Sequence, residues 1–372
     1  MNRTFLHLVS FGAFAFTPLA PAAAMQQFFR EPDAPFLVSA DETVERVTLP
    51  EVVAAAPSLF GRLTGEKAVA PVAVSQAQAV IDATRVKSPD AVLIFETRGP
   101  IQVTDTPLRL GSRMFLQVSA GGGIIAADNC TAASLIEIKD AEAVTIFSRG
   151  PGIGVIDGRG KPVTGISVTG GARINLDRLV VQKCGTAGID YRGRDAAAVN
   201  QAASATRCHF SENADGLRAD QTAAFQCLNN VFSKNTGRAL TIASINSIVA
   251  GNQFQNNKSA IRSASDRGVI ARNRIGDEAA LELTVESRGN LVTENIGTGT
   301  AHLLVIAGST QQVFRNDLPG TATIDGGAKD VFIIGNARLA VDSGAPGLRL
   351  FNPPTFGHPH QDPVIVAGMG RF

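Results

Sequence analysis

Tryptophan is absent from this sequence of 372 residues, and tyrosine appears once, as Tyr191, although phenylalanine appears 20 times. Neutral-sugar sites lean on exposed Trp and Tyr rings, so a site of that kind has little to build on. The Phe rings are expected to stack inside. Cysteine is also sparse. Cys130, Cys184, Cys208 and Cys227 form no CxxC pair and no metal-type spacing. An exported chain permits disulfides, but these four read as small buried thiols. Neither sign of charge is in excess. There are 34 Lys and Arg against 33 Asp and Glu, and removal of a leader containing Arg3 would leave 33 of each. A nucleic-acid partner needs a basic face for phosphates, which a neutral chain does not offer. Beyond the first residues, no stretch is long and apolar enough to span a bilayer. No cofactor is implied.

What is present begins with an export pattern. Arg3 supplies a positive start, residues 5–16 are an apolar run too short to cross a membrane, and Ala22-Ala23-Ala24 offers a cleavage site. The mature chain is therefore expected to start near Met25 and to be secreted or periplasmic. Residues 25–73 follow no regular pattern and read as an appendage and linker, partly helical over 49–63. Residues 74–349 carry the fold, and 350–372 a tail or cap. The tail holds His358 and His360, whose Pro-rich setting reads as solvated rather than metal-binding.

From about residue 164 the chain repeats itself. Asn230, Asn252, Asn273, Asn295, Asn316 and Asn336 recur at intervals of 22, 21, 22, 21 and 20, and Asn213, Asn235 and Asn257 form a second column spaced by 22. Apolar residues follow most of the first column: Phe232, Phe254, Ile275, Ile296 and Leu318. Short apolar strands recur in the same phase, led by Ile189, Leu217, Leu240, Ile261, Leu281 and Leu303. Within a unit the alternation has period two, as in Ala239-Leu240-Thr241-Ile242, with no helical period. Gly, Asn, Ser and Asp between the strands suit tight corners where φ is often positive. Three short strands per turn, stacked turn on turn, make an all-β, right-handed parallel β-helix of three sheets at 21–22 residues per rung. The Asn columns are expected to satisfy backbone groups at its corners. Gln78-Ala79-Val80-Ile81-Asp82-Ala83 reads as a short helix capping the N-terminal end.

Those helix residues, the buried strand after them and Leu108-Arg109-Leu110-Gly111-Ser112 resemble the entry to the pectin-lyase-like superfamily of right-handed β-helices. The resemblance covers residues 75–345. It implies a fold shared by pectate lyases, polygalacturonases, uronate epimerases and non-catalytic proteins. A local likeness is sharper. Gly152-Ile153-Gly154-Val155-Ile156-Asp157-Gly158-Arg159-Gly160 and Asn213-Ala214-Asp215-Gly216-Leu217 resemble segments of polygalacturonase-type glycoside hydrolases, which implies Asp215 as a catalytic carboxylate. The adjacent Asp pair of that family is replaced here by Thr236-Gly237-Arg238, and its Gly-His-Gly by Lys258-Ser259-Ala260. Inverting hydrolysis needs two carboxylates in different roles, so a lone Asp215 excludes that standard chemistry.

Taking the apolar leaders as inward gives an outward column of Asp190, Arg218, Thr241, Arg262 and Glu282. Beside it lies a second column of Arg192, Asp220, Ala243, Ala264 and Thr284, with Tyr191 inward. Arginines there could grip sugar carboxylates. Proton abstraction at C5 of a uronate, as in a lyase or epimerase, also needs a base, and Arg218 is the candidate. Asp190 and Asp220 could share a Ca²⁺. The same columns equally describe a cross-strand charge ladder. The insertion at residues 193–205 borders this patch. Two readings follow: a secreted protein acting on an acidic, uronate-type polysaccharide by lyase or epimerase chemistry, or a non-catalytic glycan-binding or structural β-helix.

Overall fold

Strands of two to nine residues, each ending at a corner, wind into a right-handed parallel β-helix in the computed structural model. It describes residues 43–50, 52–53, 69–149, 152–194, 200–277, 279–298, 302–343, 348–351 and 366–367. The export pattern and the His358/His360 tail lie outside them. Each turn contributes one strand to each of three parallel sheets. In one turn these are Ala187–Arg192 in the first sheet, Ser204–Thr206 in the second and His209–Ser211 in the third. The chain then re-enters the first sheet at Asp215–Ala223, where Ile189 lies beside Leu217. Val44–Thr48, far upstream, pairs in parallel with Val92–Thr97 and extends the second sheet. Val52–Val53, within the stretch expected to be partly helical, is instead a short strand antiparallel to Val69–Ala70.

Period-two alternation directs the side chains. Ile166, Ile189, Leu217, Leu240, Ile261 and Leu281 stack in the interior. Phe210, Phe232 and Phe254 stack from rung to rung at centroid distances of 4.8 and 4.9 Å. One expected inward residue is corrected. A register shift after Ala279 sets Leu304, rather than Leu303, against Leu281, so Leu303 faces out. The partner of Ile275 is Gly297, which leaves Ile296 half exposed.

The corners carry the ladders. Asn252 Oδ1 accepts from the Asn230 N–H at 2.9 Å and from its Nδ2 at 3.0 Å, while Asn252 Nδ2 donates to the Cys227 carbonyl at 2.9 Å. The pattern repeats to Asn336. The second ladder runs from Cys184 through Asn213, Asn235 and Asn257 and ends on Asp277, whose two oxygens accept both Asn257 donors at 2.8 Å. The residues at positive φ are not mainly Gly or Asn. Before the first ladder they include Arg207, Asn229, Gly251, Arg272, Glu294 and Arg315. A left-handed residue there costs about 1–2 kcal/mol. Its N–H is not lost, however: Arg207 donates to the Leu228 carbonyl at 3.0 Å, and Arg315 to Ile334 at 3.1 Å.

The helix Val74–Lys87 buries Val74, Ala77 and Ile81 over the first rungs. No helix among the described residues is long and apolar enough to cross a membrane.

Candidate functional site

With the apolar leaders inward, the first sheet turns its other residues outward in register. Asp190 lies beside Arg218, Arg218 beside Thr241, Thr241 beside Arg262 and Arg262 beside Glu282. Arg192, Asp220 and Ala243 follow in the next column. Asp190, Arg192, Arg218, Asp220 and Arg262 line one groove of about 490 Å³, together with Ala264, Thr284 and Glu286. Asp215 does not line it. It sits at the start of its strand and reaches the groove only through Arg218.

Each groove arginine is held by an acid and keeps donors to spare. Arg218 gives its Nε and an Nη to Asp215 Oδ2, both at 2.8 Å. The other Asp215 oxygen accepts the Arg238 N–H at 2.8 Å, so both are committed within the protein. Gly237 permits this, because a β-carbon there would collide with Asp215 Oδ1. Arg262 Nε meets Glu282 at 3.2 Å. An Arg192 Nη lies 2.6 Å from Asp190 Oδ2, and this contact, with Asp220 adding to it, holds the guanidinium above its ordinary pKa. Asp190 itself is buried, and its Oδ1 has no hydrogen-bond partner. A buried carboxylate oxygen without a donor is costly, and such groups mark places where a ligand or water completes the bonding.

Several alternative bases are excluded by position. Tyr191 is fully buried, its hydroxyl donates to the Ser204 carbonyl at 3.1 Å, and burial raises its pKa well above the usual phenol value. His209 lies on the third sheet against Ser233 at 2.8 Å, and burial lowers its pKa.

Two contributors escaped the sequence reading. Glu286 lies in the turn beyond its strand, outside any period-two column. The Thr284 hydroxyl donates to it at 2.5 Å and holds its pKa down, with Arg262 adding to the effect. Asn200 lies within the insertion, is buried, and donates to the Arg192 carbonyl at 2.7 Å, pinning the strand end beside the groove. No sequence signal marked Glu286; the sole hint for Asn200 was the anchor spacing widened by the insertion.

Residues 139–336 match the profile of a family described as periplasmic copper-binding protein (NosD). Among solved structures, the Dettilon tailspike protein (gp208) superposes with a TM-score of 0.55 at 14% identity, over 73% of this chain and 61% of its own. The chain thus spans less than two thirds of the tailspike's length. The A-module of mannuronan C-5 epimerase AlgE4 from Azotobacter vinelandii gives 0.55 at 13% identity, over 79% and 95%. DFA-IIIase from Arthrobacter chlorophenolicus A6 in complex with GF2 gives 0.51 at 11%, over 76% and 91%. At these identities the likeness is one of fold. No curated protein matches the chain.

Proposed function

The chain belongs to the NosD family, and from that premise we propose that it works outside the cytoplasm, binding a uronate-type acidic polysaccharide along the outward face of its first sheet. One observation carries the reading. The groove sets arginines with unused donor edges, Arg192, Arg218 and Arg262, beside a buried carboxylate oxygen with no partner, Asp190 Oδ1. A uronate unit offers the complementary pair, a carboxylate for a guanidinium and hydroxyls for an acceptor. Asp215 serves in this reading to hold Arg218. That a mannuronan epimerase shares the fold supports a glycan ligand.

Asp190 favours a second reading at the same place, lyase or epimerase chemistry. Its Oδ1 would take the C5 proton of a uronate whose carboxylate is neutralised by Arg218. The electron pair left at C5 would then expel the C4 oxygen, which leaves as a hydroxyl once protonated, or it would take a proton back on the other face. Arg192 is no base here, since Asp190 stabilises its charged form.

Copper, named in the family's description, does not fit the described residues. Among them no three His, Cys, Asp or Glu side chains converge. Cys184 and Cys208 give their thiol protons to the Gln182 and Thr206 carbonyls, and burial pushes both up to about 12. Copper requires several soft or imidazole donors together, with any thiol ionised. The two acids considered for Ca²⁺, Asp190 and Asp220, likewise lack a third ligand.

Titration calorimetry of the purified chain with uronate polysaccharides tests the proposal. Arg218→Ala should weaken binding roughly ten- to a hundredfold, the cost of about 1.5–3 kcal/mol for a charge-assisted bond. Arg218→Lys should recover part of it, since lysine lacks the planar fork. Unsaturated products absorbing in the ultraviolet would add the lyase reading, and inverted C5 signals in NMR the epimerase one. If no acidic glycan binds the wild type, the proposal fails.

A further inference from the structure

A second cavity, of about 760 Å³, lies on the same sheet, where the helix Val74–Lys87 stands over Leu108–Leu110 and Ser134–Lys139. The register joins it to the groove. Lys139 lies beside Thr169 and Thr169 beside Arg192, so Lys139 occupies the Arg192 column two rungs toward the helix. In the neighbouring column Glu137 lies beside Ser167, and Ser167 beside Asp190. At ~4.8 Å per rung the two cations are about 10 Å apart along the sheet. Among the described residues, the half-buried Ser167 and Thr169 stand between them in these two columns, while just past the strand ends Arg194 pairs with Asp140 at 3.6 Å across the same interval. The two hydroxyls raise no wall and can donate to whatever passes over them.

The polar groups of this cavity are mostly spent. Arg85 donates to the Pro89, Ala91 and Ser112 carbonyls at 2.7, 3.2 and 2.6 Å. Arg109 pairs with Glu137 at 3.3 Å, and the Gln78 amide is bound to the Arg109 backbone and to Asp82. Lys139 lines the cavity, is exposed, and has no ion-pair partner among the described residues. It is the cation left to face a ligand.

We infer that the cavity beneath the capping helix is a distal subsite of the same track, in which Lys139 takes a carboxylate of the acidic polysaccharide whose chain continues from the groove over Ser167 and Thr169. The inference rests on the proposed glycan reading and makes chain length a determinant of affinity. A short oligomer fills the groove alone, while a long one reaches Lys139 as well.

Calorimetry at low salt with a uronate trimer and a decamer separates the two claims. Wild type should bind the decamer more tightly than the trimer. Lys139→Ala should weaken the decamer about two- to fivefold, the range of an exposed ion pair, and leave the trimer unchanged. Lys139→Arg should keep the decamer advantage. Since Lys139 is exposed and without an ion pair among the described residues, its variants should melt with wild type. Arg218→Ala should weaken both ligands. If Lys139→Ala binds the decamer as wild type does, or weakens both ligands alike, the distal subsite is wrong while the groove stands. If wild type binds neither oligomer, the glycan reading falls and the subsite with it.

Discussion

Cys184, Cys208 and Cys227 are free, buried thiols in the stacked interior. Desolvation disfavours their thiolates and raises Cys184 and Cys208 to about 12, with Cys227 shifted in the same direction. An unfolded thiol ionises near pH 8.5. A folded pKa above the unfolded one contributes stability that is complete below about pH 8.5 and is lost as pH rises toward 12. Each thiol should therefore cost on the order of 1 kcal/mol for each pH unit across that window. Melting curves from pH 8 to 10.5 are expected to fall more steeply for wild type than for a Cys184→Ala/Cys208→Ala/Cys227→Ala variant. That variant starts lower because its cavities are empty, so the slope is the readout. Equal slopes would mean the thiols are not sealed from solvent. Half-buried Cys130 should be alkylated first in the native chain.

The ladder, not the single strand, is the unit of stability at the element scale. A strand such as Gln253–Gln255 is three residues long and could not hold itself. Removing the Asn252 amide strands the Asn230 N–H and Nδ2 and the Cys227 carbonyl at once. Asn252→Ala should thus destabilise by at least about 1–3 kcal/mol, read as a lower denaturation midpoint. An unchanged midpoint would remove the ladder's role. These ladders were legible because a corner amide bonds to its own equivalent one rung on, which writes the period into the sequence. The outward columns from Asp190 to Glu282 were legible for a related reason, since strands alternate strictly and the buried Ile and Leu fix the phase. What lay hidden depended on geometry that no period records. Leu303 moved out of phase by one bulge. Asp277 ends a ladder of asparagines because a carboxylate only accepts, and the last amide offers two donors. Asp215 turned onto Arg218 through a close approach that Gly237 allows. The corner residues at positive φ, Arg207, Arg272 and Arg315 among them, look like ordinary surface arginines in the sequence. The distal cavity exists because a helix packs beside strands that begin some twenty residues later.

For the whole molecule, family membership and ligand have separate physical origins. The family profile begins at Lys139 and ends at Asn336, the last ladder asparagine. It includes the repeating rungs from about residue 164 onward, where the corner asparagines and the stacked core residues set the period. A metal centre is recorded differently, as a few donors converging at one point, and among the described residues none does. Copper titrated into the purified full-length chain is therefore expected to leave its melting temperature unchanged, and a competing chelator to retain the metal. A binder present at a hundred times its Kd would stabilise the fold by about 2.7 kcal/mol, an easily measured rise. The His358→Ala/His360→Ala variant locates any rise that does occur. Lost in that variant, it belongs to residues 352–365, and the β-helix still lacks a copper site. Kept in that variant, it requires a donor set elsewhere in the chain, and the expectation that copper leaves the fold unstabilised fails.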